Sequence, residues 1–139
     1  MKRALVLLLS LAAIGAVAAD AESATVASGF NHTVVVKTTD GSVWCWGANG
    51  SGQLGDTSNT QRKTPVQAGT LAGITAVAAG SNHTLALKSD GSVWAWGANG
   101  SGQLGDDSAT NRNSPVQVRI SPTMLCEPID ASPSLVETS

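Results

Sequence analysis

The chain has two histidines, His32 and His83, and each sits in the same tripeptide, Asn31-His32-Thr33 and Asn82-His83-Thr84. A histidine beside a hydroxyl could act as general base to a nucleophile, but that chemistry needs base, nucleophile and orienting carboxylate in distinct roles at one place. Two equivalent repeat positions do not supply it. The simpler expectation is that each ring hydrogen-bonds within its own unit, as buried polar groups normally do. A zinc site would require three or four converging ligands, and two histidines in separate units do not suggest one. Gly50-Ser-Gly-Gln-Leu-Gly55 and Gly100-Ser-Gly-Gln-Leu-Gly105 fit G-x-G-x-x-G. That motif binds a dinucleotide only when a helix N-terminus follows to face the pyrophosphate. Here Asp56 to Pro65 follows, polar and without an apolar helical period. The motif is therefore expected to be a turn-rich loop whose glycines take positive φ. Gly47 to Gly52 opens like a phosphate loop, yet Gln53 stands where the lysine is required. The single Gly55-Asp56 and Gly105-Asp106 pairs lack the tandem nine-residue units of a calcium repeat. The expectation is a protein with no catalytic residues, no metal and no cofactor.

Three further groups of residues could carry chemistry. Cys45 and Cys126 could pair in an oxidising compartment, but Cys45 falls where the second unit has Ala95, a small-residue slot that suits a buried free thiol. Trp44, Trp46, Trp94 and Trp96 could stack a ligand, though their placement favours packing between sheets. The Asn31, Asn49, Asn82 and Asn99 tripeptides fit the glycosylation sequon, and the repeat accounts for them without sugar.

These residues are positioned by a tandem repeat. Gly41 to Gly55 recurs as Gly91 to Gly105 with fourteen of fifteen positions identical, the change being Cys45 to Ala95. Upstream, Gly29 to Lys37 aligns with Gly80 to Lys88, and downstream Arg62, Pro65, Val66 and Gln67 return as Arg112, Pro115, Val116 and Gln117. Each unit reads as short strands. His32–Lys37 is rich in β-branched residues, Asp40-Gly41 supplies a hairpin turn, and Ser42–Gly47 returns as its partner. Their counterparts are His83–Lys88, Asp90-Gly91 and Ser92–Gly97. Ile74–Ala79 adds a strand that Ala24–Ser28 partly matches, and Thr64–Ala68 reads as an edge strand because Pro65 cannot donate to a ladder. Val34 and Val36 alternate with Val35, and Trp44 and Trp46 alternate with Val43 and Cys45. Both faces of the sheet are therefore apolar, which a sheet with one wet face would not show. Covered sheets repeated at a fixed period predict blades stacked around an axis, or a solenoid.

The chain ends read differently. Lys2-Arg3, the apolar run Ala4 to Gly15 and the small residues Ala16-Val17-Ala18 make the three-part pattern of a secretory signal peptide over residues 1–18. The run stops at Asp20, short of a bilayer span. Export would place the protein outside the cytoplasm, secreted or periplasmic, with no membrane attachment after cleavage. Loss of Lys2 and Arg3 would move the net charge from −2 to −4. A phosphate-binding surface needs a basic stripe, so nucleic-acid binding is not expected. Beyond Val118 the repeat pattern stops, glycine is absent after Gly105, and Pro122, Pro128 and Pro133 accumulate. Residues 119–139 are expected to be an irregular or disordered tail.

The motifs Gly-x-Asn-His-Thr-x-x-x-Lys and Asp-Gly-x-Val-Trp-x-Trp-Gly-x-Asn-x-x-Gly-Gln-Leu-Gly, each present twice, closely resemble the regulator of chromosome condensation repeat. The resemblance covers 24–118 as two repeats, about 24–68 and 69–118. It implies an all-β chain made of two blade-like four-stranded antiparallel repeats of a β-propeller, usually seven-bladed. Two units then form an incomplete ring, as in a fragment of a longer propeller, whose open edges invite self-association. The expected function is a non-catalytic protein–protein interaction module of an exported propeller, its protein partner unknown. The copies differ most at Thr57, Asn59, Gln61 and Lys63 against Asp107, Ala109, Asn111 and Asn113, which become the candidate partner contacts. The alternatives are guanine-nucleotide exchange on a small GTPase, as in the family's namesake, and inhibition of a secreted enzyme, as in secreted relatives that act on β-lactamase.

Overall fold

A computed structural model describes residues 25–120, and the structural statements below refer to those residues. The leader 1–18, the tail from residue 121 onward and Cys126 lie outside them, and with Cys126 the Cys45–Cys126 pairing.

The eight strands fall into two four-stranded antiparallel sheets with meander order. The first holds β1 (Val26–Ser28), β2 (His32–Lys37), β3 (Ser42–Gly47) and β4 (Arg62–Gln67). The second holds β5 (Ile74–Ala79), β6 (His83–Lys88), β7 (Val93–Gly97) and β8 (Arg112–Gln117). The expected strands are present, with small shifts at their ends. β4 begins at Arg62 rather than Thr64, because Gly47 pairs with Arg62 beyond a bulge that displaces the register after Cys45. β7 opens one residue later than expected, at Val93.

Turn chemistry sets the hairpins. Gly41 takes φ +70°, and the Ser42 amide donates to Asp40 Oδ1 at 2.9 Å, which closes the turn locally. Asp90 and Ser92 repeat this bond at 2.8 Å despite the loop being one residue shorter.

Register decides the faces. Val34 lies opposite Cys45 and Val36 opposite Val43, whereas Thr33 lies opposite Trp46 and Val35 opposite Trp44. One face of the first sheet is thus Val34, Val36, Val43 and Cys45, all buried. In the second sheet the same alternation puts Thr84, Ala86, Trp94 and Trp96 on one face. The core forms where these two faces meet, with Leu54, Ala68, Leu71, Ile74 and Val77 closing it. Smaller aliphatic side chains of one sheet therefore receive the tryptophan face of the next, the stacked-blade arrangement that the two-sided apolar pattern predicts. The link from β4 to β5 crosses to the first sheet's hairpin, where the Gly73 and Ile74 amides donate to the Asp40 and Gly41 carbonyls at 3.1 and 3.0 Å.

Candidate partner-binding surface

Each glycine-rich loop is tied by one buried asparagine. Asn49 Oδ1 accepts from the Leu54 amide at 2.9 Å, while its Nδ2 lies 3.0–3.1 Å from Asp56 Oδ1, the Ser58 carbonyl and the Thr60 carbonyl. Arg62 Nε donates to Asp56 Oδ2 at 2.7 Å. Asn99, Leu104, Asp106, Ser108, Thr110 and Arg112 rebuild the same knot, with Arg112 Nε 2.6 Å from Asp106 Oδ2. Burial alone would raise the Asp56 pKa, but hydrogen bonds from Ser58 and Arg62 outweigh it and hold the carboxyl below its ordinary value. The Ser108 hydrogen bond leads in holding Asp106 at about 2, with Arg112 and Asn99 adding to it against the cost of burial. These carboxylates are engaged by structural partners, and no helix follows the G-x-G-x-x-G segments. The loop is a turn, as its sequence suggests: Gly52 and Gly55 have φ +84° and +68°. Among the described residues no group of three His, Cys, Asp or Glu side chains could hold a metal ion.

His32 departs from the sequence expectation. Its ring does not bond within its own sheet; Nε2 lies 2.9 Å from Thr84 Oγ1 in the next one. Thr84 Oγ1 in turn lies 3.0 Å from the Gln53 carbonyl, again across the seam. A carbonyl only accepts, and a hydroxyl has a single proton to give. Thr84 therefore donates to Gln53, and His32 donates through Nε2–H. That leaves Nδ1 bare, and it is buried without a partner. The ring fits because Gly29 has no side chain: a Cβ there would lie 2.3 Å from His32 Cε1 and 2.4 Å from the Gly80 carbonyl. Burial, then the neighbouring His83, lowers the His32 pKa.

The variable loop residues separate into two groups. Thr57, Asn59 and Asn113 meet at the seam: the Thr57 amide donates to the Asn113 carbonyl at 2.8 Å, and Asn113 Nδ2 reaches the Thr57 carbonyl and Asn59 Oδ1 at 3.2 and 3.3 Å. Gln61, Lys63, Asp107, Ala109 and Asn111 stay exposed. Asn111 Oδ1 accepts from the Asn99 amide at 2.8 Å, so it also steadies its loop. Thr57 and Asp107 both adopt positive φ, +68° and +71°. Sequence reasoning missed the knot formed by Asp56, Ser58 and Arg62, although a signal was present. These three types recur as Asp106, Ser108 and Arg112 within the stretch where the copies otherwise differ most.

The two outer faces are unpaired among the described residues. On the first sheet they include Val26, 58% exposed, and half-buried Val35, Trp44 and Trp46. On the second they include Leu87, 41% exposed, with half-buried Leu85 and Val93.

Stacked four-stranded meanders joined from outer to inner strand define a β-propeller blade repeat. The model for the regulator of chromosome condensation (RCC1) repeat matches residues 40–87 and 90–132, and a second model of that repeat matches 24–53 and 74–103. The chain belongs to this repeat family. The 40–87 match joins β3 and β4 of one blade to β5 and β6 of the next, so one sequence repeat straddles the seam. Protein RCC2 of Mus musculus is 42% identical over 58 residues, and a Danio rerio RCC2 homolog 41% over the same length. Those matches take in 40% of this chain and only 11% and 12% of the two relatives. Among solved structures, Prp20p of Saccharomyces cerevisiae superposes with a TM-score of 0.59 at 25% identity, over 70% of this chain and 24% of that one. Human WBSCR16 gives a TM-score of 0.59 at 29% identity, over 70% of this chain and 25% of that one. Prp20p is described as binding Gsp1p and histones.

Proposed function

We propose that this chain is a non-catalytic protein-interaction module of an exported propeller-type repeat protein, whose open blade faces also favour self-association. The observation that carries this reading is the division of labour in the loops. Asn49, Asp56, Ser58 and Arg62 spend their polar groups on fixing the backbone, while Gln61 and Lys63, with Asp107 and Ala109 of the second blade, project into solvent. A rigid frame presenting variable side chains suits recognition rather than turnover. Membership of a family whose member Prp20p is described as binding proteins supports it.

Affinity capture from the surrounding secretome with the wild-type chain, and with Gln61→Ala, Lys63→Ala and Asp107→Asn, tests the reading. A retained partner weakened by these changes is expected; no retained partner, or one indifferent to all three, counts against it. Export has its own check: the mature protein recovered outside the cytoplasm should begin at Ala19, after cleavage behind Ala18. Nucleotide exchange on a small GTPase is the second reading, favoured by the likeness to Prp20p, which is described as binding Gsp1p. The chain spans about a quarter of Prp20p, so accelerated nucleotide release would have to be measured with this chain itself.

A further inference from the structure

The internal seam is a template for what each outer face lacks. Several groups buried there have counterparts left open at an end of the stack. Gln53 is 2% exposed, but Gln103 is solvent-exposed; Trp96 is fully buried, but Trp46 is half-buried. Thr84 is fully buried, but Thr33 is half-buried, and His32, 2% exposed, contrasts with half-exposed His83. The exposed groups on the second blade are those that faced forward across the seam in the first. The open groups on the first blade are those that faced backward in the second. One end is therefore shaped to receive the other, which is the condition for a heterologous, head-to-tail contact.

Charge adds an independent argument. At the internal seam Asn113 bonds Thr57 and Asn59, all neutral. The repeat places Lys63 where Asn113 stands, and Asp107 and Ala109 where Thr57 and Asn59 stand. Lys63 and Asp107 are both exposed, on opposite ends of the stack, and neither has an ion-pair partner among the described residues. Copy-to-copy docking would replace the neutral seam contact with a lysine–aspartate pair. The apolar content also matches, with Leu85, Leu87, Val93 and Ala95 standing for Val34, Val36, Val43 and Cys45.

We propose that a second copy of this chain docks head-to-tail, the Val26, Val35, Trp44 and Trp46 face of one copy covering the Leu85, Leu87 and Val93 face of its neighbour. Lys63 of the first copy then meets Asp107 of the second. This deepens the self-association part of the functional reading and rests on it. His83 donates to Thr33 of the neighbour, as His32 does to Thr84 within one chain. Association adds no new chemistry; it extends the stack blade by blade, with the same rotation at each seam.

The experiment uses the full chain carrying Cys45→Ala, which copies Ala95, and Cys126→Ser. One pool adds Lys63→Cys and a second adds Ala109→Cys, both exposed positions whose far-ultraviolet spectra should match the parent. A short bismaleimide should yield covalent dimers when the pools are mixed and few when either is treated alone. Light scattering of the unmodified chain should show mass rising with concentration, and Lys63→Glu should weaken association roughly tenfold through like-charge contact with Asp107. Dimers forming equally within single pools would overturn head-to-tail docking while leaving self-association standing. A monomer at every concentration, with Trp44 and Trp46 still open to acrylamide quenching, would overturn both, and so would an unrelated protein found seated on these faces. Capture of a partner by that monomer would still leave the interaction reading intact.

Discussion

His32 and Asn99 show how far a single side chain can be committed by its surroundings. His32 is held neutral between a hydroxyl it must donate to and a bare nitrogen with no partner. Its folded pKa lies below the ordinary 6.5. As pH falls through 6.5 the unfolded chain therefore gains a proton that the folded chain refuses, and stability present above that pH is lost progressively. A urea titration series between pH 8 and pH 5 should show this loss, and His32→Gln should flatten it; an unchanged slope would show that His32 is not the group responsible. Asn99 is fully buried and makes five of its loop's bonds. Asn99→Ala leaves the Leu104 amide and two carbonyls unmet, at a cost of about 2–4 kcal/mol, readable as a lower denaturation midpoint. Asp106 adds an acid limb. With its pKa at about 2 against an ordinary 3.8, its contribution is complete above 3.8 and disappears as pH falls towards 2. Burial, then Asp56, pushes the Cys45 thiol up to about 12. In a Cys126→Ser background it should resist iodoacetamide at pH 8 until the chain unfolds, and rapid native labelling would show the seam to be open.

Strands and turns depend on glycine at a few places only. Gly47 and Gly97 end β3 and β7 just past the bulge, with φ +110° and +108°. A Cβ on either would lie 2.4 Å from the Asn31 or Asn82 carbonyl. Gly97→Ala combines left-handed strain with a backbone clash and should cost roughly 3 kcal/mol or more. Gly50 has nothing within 4 Å of its would-be Cβ. Gly50→Ala, in the same loop family, should therefore stay within about 0.5 kcal/mol of wild type. Thermal melts of the pair separate a glycine held by positive φ and a close backbone contact from one that is held by neither. The element scale also explains the shift in β4. Its first residue is set by the Arg62 contact to Asp56 and by pairing with Gly47 across the bulge, neither of which a local propensity reports.

For the whole molecule, the energetically decisive surface is the one between blades. Head-to-tail association would make the thermal midpoint rise with protein concentration, because binding only the folded state stabilises it. A midpoint independent of concentration over two decades would argue for a stack whose outer faces stay uncovered. Cys45→Ala should test the seam from inside: it imitates Ala95, removes one sulfur from a well-packed face and should cost about 1 kcal/mol.

The residue order by itself determined the repeat, the strand positions, the two-sided apolar faces and, through its motifs, the repeat family. These are local or periodic features, and a period of two or of one repeat is visible without coordinates. Val34, Trp44 and Asp40-Gly41 could be placed because each answers to its near neighbours. Tertiary structure alone decided which face meets which, and with it the partners of His32. The donor at Nε2 and its acceptor at Thr84 are 52 residues apart, in different repeats. Within a single repeat nothing distinguishes a bond to one's own sheet from a bond to the next. Asn113 is the same case: the loop comparison marks it as variable, whereas the fold shows it bridging to Thr57 across the seam. Stacking brings these residues together, and stacking is a property of two repeats, not of one.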